Sequence, residues 1–266
     1  MNKKKRIKRI VLIVSILVLV FCFMGGKALA EPNVSISPDG IEIGTSDDPE
    51  EVSSSIQLLL LLTILSIAPS ILIMMTGFTR VIIILSFLRN ALGTQQMPPN
   101  QVLIGLALFI TFFVMSPVLT DINDNALQPY VNKEITQQQA IDKSSQTIKT
   151  WMVKQIFSNG REDDLGLFMT LGGQKDPILV EDAPKLSLTI VVPAFLISEL
   201  TVAFKFGFLI FLPFLIIDMV VSSTLMSMGM MMLPPIMISL PFKILLFILV
   251  DGWGMLTQAI VQSFAR

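Results

Sequence analysis

The chain has no histidine and only one cysteine, Cys22, among its 266 residues. Zinc sites built from histidine and cysteine, cysteine–histidine nucleophiles and intrachain disulfides are therefore excluded. The sequence also has no phosphate-binding glycine loop and no cluster of acids suited to a metal ion. We accordingly predict no catalytic, cofactor-binding or metal-binding residues, and we do not expect an enzyme.

Charge is scarce as well: 15% of the residues are charged, 53% are hydrophobic, and the mean hydropathy is +0.74. This composition predicts a membrane protein. Seven of the 19 basic residues lie in the first thirty positions. The remaining 12 basic and 20 acidic residues give the rest of the chain a net charge of −8, which argues against nucleic-acid binding.

The N-terminus has the pattern of a targeting segment. A basic start, an apolar run over residues 10–24 and the small-x-small end Ala28-Leu29-Ala30 predict a cleavable signal peptide over residues 1–30. An uncleaved membrane anchor is the alternative. Residues 31–53 are acidic and rich in proline, serine and glycine, which predicts a flexible acidic linker without a core of its own.

Two pairs of long apolar runs follow, and they predict two hydrophobic helical hairpins, over residues 54–119 and 186–266. Arg80 and Arg89 stand between the first two runs with no acid nearby, which predicts a cytoplasmic loop. The last two runs are too long for one crossing each. Proline and glycine inside the runs predict kinks or breaks at Pro69, Pro193, Gly207, Pro213, Pro241, Gly252 and Gly254.

Residues 120–185 form a hydrophilic insert between the hairpins. Apolar residues recur with helical spacing at Ile141, Ile148, Trp151, Met152 and Ile156, and this pattern predicts an amphipathic helix that ends at Asn159-Gly160. A shorter helix is predicted over residues 162–171. The thin core suggests packing against another surface, such as a second copy. The predicted fold class is thus an all-α membrane-associated protein of bent or broken hydrophobic hairpins plus a small helical extracytoplasmic domain.

An uncharged methionine-rich stretch, residues 222–241, separates the last two apolar runs. It contains Met226, Met228, Met230, Met231 and Met232. Methionine is unbranched and polarizable, so such a cluster makes a soft, adaptable surface. We predict hinges or turns at Gly229, Pro234, Pro235 and Pro241. The alternative is an ordinary hydrophobic turn between two buried helices.

Five charges are embedded in the last two runs: Glu199, Lys205, Asp218, Lys243 and Asp251. A charge facing lipid costs at least about 2.5 kcal/mol, so such residues normally meet a partner or a wet cavity. We predict pairing, for example of Lys205 with Asp218 or of Lys243 with Asp251. Two roles remain open: a polar conduit or proton relay, and ion pairs that hold helices or subunits together.

Several long motifs resemble the FliP/SctR family of type III protein export gates. The shared motifs are TGFTR at 76–80, FLRNALGTQQMPPN at 87–100, GLALF at 105–109, PAFLISEL at 193–200, PFLIID at 213–218, LMSMGMMMLPP at 225–235, SLPFK at 239–243 and DGW at 251–253. They cover most of residues 56–264. The sequences of the NALG and DGW motifs are closer to those of the flagellar branch of this family.

The resemblance implies an assembly of five copies around a pore, with R-type and Q-type gate subunits (FliR, FliQ) and the B-type and A-type export proteins (FlhB, FlhA). The assembly would lie in the bacterial inner membrane at the flagellar basal body, with much of its mass extracytoplasmic. By this resemblance, the five methionines ring the pore as a gasket. Glu199, Lys205, Asp218, Lys243 and Asp251 would hold subunit contacts or line the path.

Three functions follow as hypotheses. The favoured one is a pore-forming gate subunit that passes unfolded flagellar proteins and remains tight to ions. The second is a proton-coupled transporter or ion channel that uses the embedded Lys and Asp residues. The third is a structural scaffold that nucleates the export machine.

Overall fold

The computed structural model of the protein describes residues 33–37, 40–44, 49–94, 97–173, 180–230 and 233–264. The predicted signal peptide lies outside these residues. Almost all described residues are helical, which confirms the predicted fold class. The described elements are strands β1 (Asn33–Ser37) and β2 (Gly40–Gly44), and helices α1 (Pro49–Met74), α2 (Phe78–Leu92), α3 (Asn100–Ile122), α4 (Gln128–Val131), α5 (Gln137–Ser158), α6 (Glu162–Leu171), α7 (Leu188–Ser227), α8 (Pro235–Leu249) and α9 (Gly252–Gln262). A π-helical turn (Asn123–Leu127) joins α3 to α4, and a 3₁₀ helix (Val180–Lys185) precedes α7.

The chain divides into two units, Met1–Ala68 and Pro69–Arg266. In the first unit, β1 and β2 pair as an antiparallel hairpin with Asn33 opposite Gly44. The predicted flexible linker over residues 31–53 thus contains two strands and the first turn of α1. The reason is local, because β-branched residues alternate in both segments and favour strands. Pro49 stands at the first position of α1, where its missing N–H costs nothing.

In α1, apolar side chains are exposed on all sides of the helix between residues 59 and 65. The exposed residues are Leu59, Leu60, Leu61, Leu62, Ile64 and Leu65. A helix that is apolar all round needs lipid or another protein as its surroundings. Residues Leu58–Ile71 are the apolar part of this helix and are short for a membrane crossing.

The core of the second unit is organised around the packing of α2 along α7. The buried face of α2 repeats every three or four residues, through Val81, Ile84, Leu85, Leu88 and Ala91. The predicted loop around Arg80 and Arg89 is therefore wrong, because both residues lie in this helix, whereas their cytoplasmic side stays a prediction. The positive-inside rule assumes that arginines mark loops, whereas Arg80 is fully buried here.

The 40-residue helix α7 passes through Pro193, Gly207 and Pro213 without ending. The predicted breaks at these positions are wrong, since packing against α2, α5 and α6 holds the helix together. At 1.5 Å per residue the helix is about 60 Å long, roughly twice the hydrocarbon thickness of a bilayer. Gly207 instead allows α7 and α2 to approach closely, because a Cβ at this position would lie 2.5 Å from Cγ of Phe87 on α2.

We expect Gly207→Ala to destabilise the protein by about 1–3 kcal/mol, because the added methyl group would displace the Phe87 ring. Thermal unfolding of the detergent-solubilised protein measures this effect. Gly105→Ala in α3 is the matched control, since nothing lies within 4 Å of its Cβ position. Equal unfolding temperatures for the two variants would contradict this role of Gly207.

The insert packs against the rest of its own chain. Its main helix, α5, begins with a capping box between Thr136 and Gln139 and ends at Asn159, followed by Gly160 with φ +61°. This confirms the predicted amphipathic helix. Trp151, Met152 and Ile156 are buried, but the predicted core residue Ile141 is 54% exposed.

Contacts of α5 and α6 with α7 supply the core that the insert lacks by itself. The ring of Trp151 lies 5.4 Å from that of Phe195 on α7. Lys149 Nζ donates hydrogen bonds to the carbonyl oxygens of Pro184, at 2.6 Å, and Leu186, at 3.0 Å. Helix α6 has the predicted bounds.

Two described helical segments are long and apolar enough to cross a membrane, Asn100–Val131 and Leu188–Ser227. The pair α8 and α9 makes a third if both count as one span, although it bends by 66° between its halves. Hydropathy predicts four apolar runs, and among the described residues fewer helices are long and apolar enough for a crossing. The first run, residues 56–78, is divided between α1 and the start of α2, which are separate helices.

Candidate functional site: the methionine turn and the buried ion pairs

The methionine-rich stretch contains the end of α7, where residues 225–230 form a tight turn. Helix α7 ends in a Schellman motif: Gly229 N–H donates to the carbonyl of Met226 at 3.1 Å, and Met230 N–H donates to that of Leu225 at 3.0 Å. Gly229 has φ +75°, a conformation that favours glycine. Gly229 therefore terminates the helix before the prolines are reached.

The described methionines of this turn point away from the core. Met226 is 58% exposed and Met228 is 68% exposed, and Met230 is also exposed. Met231 and Met232 lie outside the described residues. Apolar thioethers on a turn that caps its own backbone can contact a partner or a passing chain without a fixed geometry. Within a single chain these three methionines are exposed, so the alternative of a buried hydrophobic turn does not apply to them.

The prolines after the turn act differently from one another. Pro234 is the N-cap of α8 and Pro235 is its first residue, a favourable place for proline. Pro241 lies inside α8, which continues to Leu249, so the predicted hinge at Pro241 is wrong. The bend comes later, at Asp251, whose φ of +49° starts α9 in a new direction.

A groove of about 550 Å³ lies beside the turn, between the end of α7 and α8. Its walls are almost wholly apolar. The lining residues are Ile216, Ile217, Val220, Val221, Thr224, Leu225, Met228, Ile238 and Phe242. This groove places Met228 at the edge of a larger apolar surface.

Glu199, for which the sequence predicts no specific partner, pairs with Arg80 on α2. Both side chains are fully buried. Arg80 Nε donates to Glu199 Oε2 at 2.8 Å, and Nη2 donates to Oε1, so the contact is bidentate. This pair ties α2 to α7 in the middle of the core.

Arg80 also binds the C-terminal end of α9. Its Nη1 donates to the Ser263 carbonyl at 2.6 Å and to Ser263 Oγ at 3.1 Å. Its guanidinium carbon lies 4.1 Å from the centre of the Phe264 ring. A cation at the carbonyl end of a helix is favoured by the helix dipole. Through its Nε, Nη1 and Nη2 atoms, Arg80 on α2 thus binds both α7 and the end of α9.

Asp218 and Lys243 form the second ion pair, between α7 and α8. Lys243 Nζ lies 2.6 Å from Asp218 Oδ2 and donates a further bond of 3.0 Å to the carbonyl of Ala91, at the end of α2. Ser239 Oγ donates to Asp218 Oδ1 at 2.6 Å. Lys243 is almost completely buried. Every polar group of this cluster therefore has a partner, as buried charges require.

Both predicted pairings of embedded charges are thus wrong. They paired Lys205 with Asp218 and Lys243 with Asp251, whereas the structure pairs Lys243 with Asp218. Lys205 and Asp251 are exposed, and neither forms an ion pair with another residue in the part of the chain that the structure describes. The reason is three-dimensional: helix packing brings residues 218 and 243 together.

Sequence reasoning missed Arg80, Ser239 and the C-terminal Ser263. Arg80 could have been suspected, because the apolar residues Val81–Leu85 follow it directly. The roles of Ser239 and of the Ser263 carbonyl carry no sequence signal. Within the described residues, no group of three or more acidic, histidine or cysteine side chains could hold a metal ion.

Comparison with known proteins gives consistent results. The profile of the FliP family matches residues 61–260, which is more than half of the chain. Three proteins named "Flagellar biosynthetic protein FliP" are similar over most of their length. That of Bacillus subtilis is 58% identical over 84% of this chain and 98% of its own. The Aquifex aeolicus protein is 45% identical over 86% of this chain and 92% of its own length. The Caulobacter vibrioides protein is 44% identical over 96% of this chain and 91% of its own length. The chain belongs to the FliP family.

Proposed function

We propose that this protein is a pore-forming core subunit of the flagellar type III export gate. Unfolded flagellar subunits would pass through it across the bacterial inner membrane. Its similarity to proteins named for flagellar biosynthesis supports the flagellar role. Membership of the family and two or three helical segments apolar enough to span a membrane support the location.

The exposed methionine turn is the observation that carries the pore role. In the proposed gate, Met226, Met228, Met230, Met231 and Met232 of several copies form an ion-tight gasket. Methionine side chains have three rotatable bonds and no charge, so a ring of them can close on itself or around a passing chain. Narrow hydrophobic constrictions stop ions by excluding water.

The partners follow from the same proposal. Other copies of this chain would form a pentamer, R-type and Q-type gate subunits would complete the gate, and the A-type and B-type export proteins would deliver substrates. The many exposed apolar side chains on α1, α3, α7 and α8 support contact with such subunits or with lipid. The bulk of the insert would then lie on the extracytoplasmic side of the membrane.

A transporter that uses Asp218 and Lys243 as a proton relay receives less support. Both groups are held by Ser239 and by the Ala91 carbonyl, and Lys243 is almost completely buried. The Asp218 side chain is 32% exposed, but Lys243 is held in the interior between Asp218 and the Ala91 carbonyl. These contacts are those of a structural ion pair that joins three helices.

We expect the replacement of Met230, Met231 and Met232 by alanine to leave assembly intact and to make the membrane leaky to ions, because alanine is too short to close the constriction. The test measures potassium efflux from cells that express the variant with its R-type and Q-type partners. The matched control replaces Met97 and Met219, which are 70% and 62% exposed but lie outside the turn. A tight membrane in the first variant, with normal assembly, would contradict the gasket.

A further inference from the structure

Two charges of opposite sign remain on the surface of the apolar helices after the internal ion pairs are formed. Lys205 is exposed on α7, and Asp251 is exposed at the junction of α8 and α9. Neither forms an ion pair within the described part of its own chain. Each chain thus carries one free cation and one free anion in these segments, where isolated charges are costly.

Lys205 lies on an apolar ridge. Its neighbours on the same side of α7 are Phe204, Phe208 and Leu209, which are 56%, 59% and 62% exposed. The Phe204 ring packs edge-on against Phe87 of α2, with 5.4 Å between the ring centres, so the outward part of this surface consists of Lys205, Phe208 and Leu209. The ridge is therefore an exposed apolar surface that carries one positive charge.

Asp251 lies on the edge of an apolar groove. The groove has a volume of about 450 Å³, and Val250 and Gly252, the residues on either side of Asp251, both line it. Its other walls come from α2, α7, α8 and α9, including Leu88, Phe214 and Phe247. It is a concave apolar surface with a negative charge at its rim.

We propose that Lys205 of one copy pairs with Asp251 of the next copy, with the ridge around Lys205 seated in the groove beside Asp251. This inference rests on the proposed function, because it requires that copies of the chain assemble. The two charges have opposite signs, and both surfaces are apolar. Such a contact is head-to-tail, so every copy uses both surfaces and a closed ring leaves no free charge.

Crosslinking tests this contact directly. Cys22 is the only cysteine in the sequence, so Cys22→Ser gives a background without thiols. In that background, chains with Lys205→Cys and chains with Asp251→Cys carry different tags and are expressed together with the R-type and Q-type partners. A short bis-maleimide is used, because a Lys–Asp ion pair separates the two β-carbons more than a disulfide allows.

We expect a crosslinked dimer that carries both tags, which can arise only between chains. A chain with both cysteines should give a ladder of multimers. The control pairs Lys205→Cys with Asp163→Cys, an exposed acid in the first turn of α6, and should give no dimer. Reaction only within the doubly substituted chain would overturn the proposal, since the pair would then be internal.

Charge reversal supplies a second readout. Lys205→Asp and Asp251→Lys should each lower the yield of the multimer about tenfold, because like charges would then face each other, and the double reversal should restore most of it. Suppose that the wild-type chain forms multimers, that the two cysteines do not crosslink and that the single reversals have no effect. This result would overturn the contact but leave the export-gate proposal standing. If the wild-type chain forms no multimer beside its partners, both proposals fail.

Discussion

Replacing Arg80 with alanine is expected to lower the unfolding temperature of the protein by roughly 10 °C. The change leaves the fully buried carboxylate of Glu199 without its bidentate partner and frees the carbonyl of Ser263 at the end of α9. Breaking a buried ion pair by removing one partner costs about 3–5 kcal/mol. That is a large share of a typical stability of about 5–15 kcal/mol. Thermal unfolding in detergent and the amount of protein in the membrane measure the loss.

Arg89→Ala is the control for Arg80→Ala. Arg89 lies on the same helix but is only half-buried, and it binds Asn100 and the Pro98 carbonyl near the following connection. We expect a change of no more than about 1 kcal/mol, as for other partly solvated polar contacts. Ser263→Ala keeps the carbonyl that Arg80 binds and should also be mild. Equal losses for Arg80→Ala and Arg89→Ala would refute a special role of the buried pair.

Replacing Lys243 with alanine is the second change with a large expected effect, about 2–3 kcal/mol, which is less than for Arg80 because the Asp218 side chain is 32% exposed. It leaves the Asp218 carboxylate without a cation and removes the donor to the Ala91 carbonyl. Loss of the ion pair should weaken the packing of α7 against α8, the two helices on either side of the methionine turn. Unfolding temperature and recovery of assembled complex are the measurements, with exposed Lys143→Ala as the control.

A double-mutant cycle separates structure from transport at this pair. If Lys243 and Asp218 act structurally, the double replacement by alanine should cost clearly less than the sum of the two single replacements. Asp218→Asn should also weaken assembly, because it loses the ionic partner of Lys243. Normal stability and assembly in Asp218→Asn, together with loss of proton flux, would instead favour the relay hypothesis.

The embedded charges show how far sequence reasoning reaches. Because charges are costly among apolar helices, Glu199, Asp218 and Lys243 could be predicted to have partners, and they do. The partners themselves could not be predicted. Arg80 is 119 residues from Glu199 in the sequence, and Asp218 is 25 from Lys243. Only the packing of α2 and α8 against α7 brings these groups together.

Helix ends show the same division. Gly229 could be identified as a turn residue because glycine loosens the backbone and Pro234 and Pro235 follow it. In the structure, α7 does end at this glycine. Pro193, Pro213 and Pro241 carry equally strong breaking signals, yet each lies inside a helix. Proline removes one hydrogen bond and strains one turn, a local cost that extensive packing on neighbouring helices can exceed.

The amino-acid sequence by itself determined the all-helical class, the membrane association, the end of α5, the bounds of α6 and the turn at Gly229. These properties depend on composition, on periodicity and on residues close together in the chain, so they can be read locally. The tertiary structure decided which charges are buried, which pair, and which two remain free. Those outcomes depend on contacts between helices far apart in the sequence, where burial sets the free energy of each charge.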